Sequence, residues 1–213
     1  APSRGLGDVY KRQDEYDNIK SVVNDYLKEG IAHTLDETRN LSDSGQFEDI
    51  SLQQGIRQIL YPYEEMEVLN PEWEVILKDI IDSLFEQMSD EEYNILNEEF
   101  GTYMVSRAYE YRQLLEYLVF RYFAKSIYDY DFLGKCQMLV TNFFVIRQMD
   151  IIRWLDNHRE YSFKDRMDVV HIFSRQVEYS EDNIENLYED FIFDDIFKTD
   201  SLIAILWIDS ENI

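Results

Sequence analysis

Five ionisable side chains recur at helical spacing late in the chain: Lys164, Asp168, His171, Arg175 and Glu178. At 100° per residue they share an arc of roughly 80°, beside an expected core face of Phe163, Met167, Val170, Phe173 and Val177. Two readings fit this pattern. One is a solvated ladder of alternating charge, each pair contributing tenths of a kcal/mol. The other is the polar wall of a groove that faces a substrate or another domain. Asp168 and His171 stand at i,i+3, a spacing that di-metal bundles use. Such a site needs a second carboxylate–His pair, and the sequence contains none, so no metal is expected. Cys136, the one cysteine, falls in an apolar helix and reads as a buried, inert thiol. It excludes an internal disulfide and any cysteine-ligated zinc or iron–sulfur site within this chain.

A second set of charges interrupts apolar stripes. Arg107 lies in the line Tyr93, Leu96, Phe100, Met104, Tyr111, Leu114 and Leu118, and Asp150 continues the line Phe132, Cys136, Leu139, Phe143 and Ile146. Arg166 falls on the core side of its own helix. An unpaired buried charge costs several kcal/mol, so these residues must pair or open onto a wet cleft. Asp150 is therefore expected to be buried and bonded to an arginine, Arg107 or Arg166. The result is either a closed ion pair that fixes how the helices meet or a polar pocket.

The elements that position these residues are helices. With seven glycines and three prolines, the chain has too little turn punctuation for a sheet protein. The spacing predicts a helix over 16–27, weakened at Gly30, then a loop over 41–48. A helix opened by Leu52, Ile56, Ile59 and Leu60 should kink or break at Pro62. Asn70 with Pro71 caps a helix that runs to Met88, and Ser89 with Glu92 forms a capping box. The helix after that box is expected to reach about Ile127, with Gly101 its weak spot. Phe132 to about Leu155 is apolar nearly all round and should be the most buried helix. Ser162 with Asp165 caps a helix to about Tyr179, Ser180 caps the next, and Thr199 or Asp200 caps a terminal apolar one. The expected fold is all-α, an irregular bundle of about eight helices.

Residues 1–13 carry a net charge of +2 and two glycines, whereas the remainder is acidic. The ending DVYKRQ resembles translated adapter sequence. The expected division is therefore a disordered or artefactual leader, 1–13, and an all-helical domain, 14–213. The net charge of −24 repels phosphate backbones and anionic lipid, so no nucleic-acid or membrane partner is expected. No apolar run approaches the ~18 residues of a membrane span, and the cytoplasm is the expected compartment. Glycine-rich phosphate loops and dinucleotide fingerprints are missing as well.

The stretch IFSRQVEYSEDNIENLYEDF at 172–191 resembles the C-terminal region of the flagellin lysine-N-methylases. There, a Phe-Ser-(Arg or Lys)-x-x-Glu-His segment leads into a short acidic helix. The segments LLEYLVFRYFAKSIYDYD, MLVTNFFVIRQMDIIRWL and DSLIAILWI are similar in character to the same family. The resemblance spans about 14–213 and is strongest from Leu114 onward. It places the motif's Ser, Arg and Glu on Ser174, Arg175 and Glu178, with Tyr179 in place of the motif's His. It implies a C-terminal fragment of an enzyme that moves methyl from S-adenosylmethionine to lysine ε-amines of flagellin. It also implies an iron–sulfur centre in a cysteine-bearing N-terminal region that this chain lacks, and inactivity without that region. On this reading His171, Ser174, Arg175 and Glu178, with Asp150, Arg107 and Arg166, are the polar candidates for a site facing the missing region or the lysine. The alternative is a non-enzymatic acidic helical module for protein interaction.

Overall fold

The structure, a computed structural model, describes residues 20–21, 50–129 and 131–211. Of the expected helix over 16–27 it describes Lys20 and Ser21, both helical. The leader and the 41–48 loop lie outside the described residues. The order of helices is α1 (Leu52–Glu64), α2 (Pro71–Ile80), α3 (Asp90–Met104), α4 (Ala108–Arg121), the single turn α5 (Ser126–Asp129), α6 (Phe132–Asp156), α7 (Phe163–Phe173), α8 (Glu181–Phe193) and α9 (Thr199–Glu211). The described residues contain no strand, and the fold is all-α. Among them no helix is long and apolar enough to cross a membrane.

Local chemistry sets the helix starts. Asn70 accepts from the backbone of Glu72 with Pro71 at the first helical position, and Ser89/Glu92 and Ser162/Asp165 form complete capping boxes. Ser180 caps α8 through the Asn183 backbone. Pro62 lies inside α1, which continues only to Glu64. The ring withholds one backbone donor, and the helix stops within a turn of it. Thr199 is the first residue of α9 and not its cap.

Two expectations about helix length need correction. The long helix after Ser89 divides at Val105–Arg107, a 3₁₀ turn, and not at Gly101, which is buried within α3. The backbone leaves α geometry at Arg107 (φ −118°, ψ 16°), where the side chain reaches the Tyr161 carbonyl and Glu110. A second 3₁₀ turn, Phe123–Lys125, follows α4. The helices starting at Pro71 and Phe163 each end in a π turn, Ile81–Glu86 and Ser174–Glu178. A π turn bonds i to i+5 and so takes an extra residue, which rotates the later side chains by about 100° around the axis.

α6 is the central helix. It packs against α1, α2, α4, α7, α8 and α9. Its deepest line runs through Met138, Thr141, Val145, Gln148 and Ile152, while Phe132, Cys136, Leu139 and Phe143 are half-buried. Burying each large apolar side chain of this core stabilises the fold by about 1.5–3 kcal/mol before entropy is counted. Trp73 of α2 sits between Tyr63 and Phe173, with ring centroids 6.5 and 6.3 Å away. α9 closes on α1 at Gly55, where a Cβ would lie 2.9 Å from Ile205 Cδ1.

The core face of α7 also needs correction. Phe173 and Val177 are buried, but Phe163 and Met167 are 63% and 52% exposed. The inward line runs through Arg166, Val169, Ile172 and Phe173. Ion pairing draws Arg166 inward, and the helix is rotated to suit it.

Candidate functional site

Asp150, from the middle of α6, is fully buried. Arg166 of α7 and the Tyr161 hydroxyl both donate to it, and Tyr111 of α4 donates at 2.7 Å. Arg166 also approaches Glu110 of α4, Nε to Oε2 at 3.4 Å. Glu110 in turn takes Arg107 in a fork, at 2.8 and 3.0 Å. The guanidinium carbon of Arg166 lies 4.3 Å from the Tyr111 ring centroid. Of the two arginines expected as partners, Arg166 holds Asp150 and Arg107 holds Glu110. The chain Arg107–Glu110–Arg166–Asp150 balances two positive charges with two negative ones. Burial pushes the Asp150 carboxyl upward, opposed by Arg166 and the two tyrosine hydroxyls. Burial pulls the Arg166 pKa down, but Asp150, Tyr111 and Tyr161 outweigh it and the net direction is upward. The geometry is that of a closed lock joining α4, α6 and α7.

A second carboxylate stands at the end of the π turn. Glu178 accepts from Ser174 Oγ at 2.6 Å, Tyr117 Oη at 2.8 Å and Tyr122 Oη at 3.1 Å. Arg121 is more loosely placed, its Nε 3.8 Å from Glu178 Oε1. Burial and the Glu178 charge push the Tyr117 hydroxyl up to about 12. A regular helix would carry Glu178 on the solvated arc with His171 and Arg175. The π turn brings Glu178 inward and leaves those two exposed. Tyr179, at the position of the motif's His, is 78% exposed and makes none of these contacts.

The same turn clasps the loop before α2. Gln176 accepts from the backbones of Leu69 and Asn70 at 2.9 and 3.2 Å and donates to the Glu67 carbonyl at 2.7 Å. Asn183 of α8 adds two bonds to Glu67 at 3.0 Å each. Sequence reasoning missed Gln176, Asn183, Tyr117 and Tyr122. Tyrosines pass as core, and Gln176 turns inward only because the helix widens.

Asp168 and His171 line neither network. They face a groove of about 480 Å³ between α2, α6 and α7, with Glu72, Asp79, Arg153 and Asp156 on its walls. Six of the seven candidate residues thus fall into three places: Arg107, Asp150 and Arg166 together, Ser174 and Glu178 together, and His171 at the groove; Arg175 joins none of them. Lys164 and Arg175 are exposed. Among the described residues no three His, Cys, Asp or Glu side chains converge as metal ligands. Cys136 is half-buried, its thiol pushed up by burial and by Asp131.

The model of one protein family, the FliB lysine N-methylase C-terminal domain, matches residues 6–205. The chain belongs to this family. No curated protein and no solved structure matches it. Within this FliB-type domain, the segment that carries the sequence resemblance is the widened turn at 174–178, and its Ser and Glu bond to each other. A cysteine-ligated iron–sulfur cluster does not fit the chain, since four thiolates are needed and one cysteine is present.

Proposed function

We propose that the chain is the helical, substrate-side part of a lysine N-methylase that acts on flagellin in the cytoplasm. The observation that carries this reading is the family match over residues 6–205. In the reaction the lone pair of a neutral lysine ε-amine attacks the methyl carbon of S-adenosylmethionine. The sulfur–methyl bond breaks to leave a thioether, and the amine sheds a proton. Asp150, Glu110 and Glu178 are already engaged by arginines or hydroxyls, so none stands ready to accept that proton. The chain's part is to hold and present, and the methyl donor and iron–sulfur centre belong to a cysteine-bearing region outside these 213 residues.

The test uses flagellin and S-adenosylmethionine labelled on the methyl group. The chain alone should transfer no label, and the product of the complete reading frame should label lysines. Stoichiometric transfer by the chain alone would overturn the division of labour. Failure of the complete product to label any lysine would overturn the methylation reading.

A further inference from the structure

The groove between α2, α6 and α7 is set apart from the rest of this acidic surface by how its charges are placed. Glu72 and Asp79 approach from α2, Asp156 from the last residue of α6 and Asp168 from α7. Among the described residues none of the four has an ion pair or a side-chain hydrogen bond, whereas the buried Glu110, Asp150 and Glu178 all do. Arg153 is the arginine on its walls and no lysine lines it, so the four carboxylates outnumber the basic side chain. Asp156 also stands at the negative pole of the α6 dipole, a position that favours cations and disfavours a carboxylate. The fold tolerates this uncompensated charge above an apolar floor of Ile76, Ile152 and Ile172, each less than a tenth exposed.

An apolar floor beneath a ring of unpaired carboxylates suits a side chain with a hydrocarbon stem and a cationic head. We infer that this groove docks a lysine presented by a basic segment of a protein partner. The methylenes lie on the three isoleucines and the ammonium sits among Glu72, Asp79, Asp156 and Asp168. Four carboxylates carried on three helices suit a compact charge with three donors. The groove supplies the charge argument by itself, and the choice of a lysine-bearing partner rests on the methylation reading. No acid or base chemistry is assigned to the groove. It is a place of attachment.

The experiment measures binding of a fluorescein-labelled peptide of lysine and alanine residues to the complete chain, by anisotropy and without any methyl donor. Two triple variants remove the same amount of charge. One is Asp79→Asn/Asp156→Asn/Asp168→Asn, in the groove. The other is Glu91→Gln/Glu98→Gln/Glu185→Gln, at exposed positions on α3 and α8. The groove triple should weaken binding about tenfold and the control triple less than about twofold. Acetylating the peptide lysines should abolish binding to the parent chain. Equal weakening by the two triples would show attraction to the whole acidic surface and overturn the site, as would an unaffected groove triple or a parent chain that does not bind. Because no turnover is needed, failure here leaves the methylation reading to the labelling experiment, and the reverse holds too.

Discussion

Asp150 and Arg166 form an ion pair deep enough that removing one partner strands the other. Asp150→Ala is expected to lower the unfolding free energy by about 3 kcal/mol or more, read from urea denaturation, because a buried guanidinium loses its main counter-charge. An unchanged midpoint would show that the pair contributes nothing. Asp190 gives a test with pH. Burial, then the charges of Asp194, Glu65 and Glu189, raise its carboxyl from 3.8 to about 6. The folded state therefore holds this proton more tightly than the unfolded chain. The stability it contributes is complete below about pH 4 and lost as pH rises through 6. Asp190→Asn should raise the melting temperature at about pH 7.5 and leave it nearly unchanged at about pH 4. At this scale the sequence was informative wherever a charge broke an apolar line, as Arg107, Asp150 and Arg166 do, since such a charge must find a partner. It was silent on Tyr111, Tyr161 and Tyr117. A tyrosine satisfies an apolar pattern whether or not its hydroxyl completes a polar network.

Helix starts were legible because caps are local: Asn70, Ser89, Ser162 and Ser180 bond to backbone two or three residues away. Ser162→Ala should lower stability by about 1 kcal/mol in thermal or urea unfolding. Helix interruptions were not legible. The break at Val105–Arg107 depends on a carbonyl at Tyr161, and the widened turns depend on what they pack against. A wheel drawn at constant pitch therefore put Glu178 in water. Gln176 shows what the widened turn achieves, since it is buried and meets three backbone groups of the loop that leads into α2. Gln176→Ala should strand the Leu69 and Asn70 amides at about 1–3 kcal/mol for each one water cannot reach, while the Glu67 carbonyl keeps its bond from Asn183. Amide exchange at Leu69 and Asn70 should quicken more than exchange in α3.

At the scale of the whole molecule, a net charge of −24 makes the folded state repel itself. Raising salt from about 20 to about 200 mM should increase the melting temperature, as screening shortens the reach of that repulsion. A melting temperature independent of salt would show that the acids are locally compensated. The all-α class and the central burial of 132–156 followed from composition and period. The way the helices meet did not, because it rests on pairs far apart in the chain. One of these pairs governs the order of events during synthesis. Ile205 of α9 fills the space left by Gly55 on α1, and Leu202 and Ile205 belong to the main core with Leu52 and Ile56. The first of the numbered helices thus waits through nearly the whole of translation for the side chains that cover it. Until α9 clears the ribosome, the apolar face of α1 is partly bare, and a nascent chain stalled before residue 199 should be bound by chaperones and cut by protease at α1.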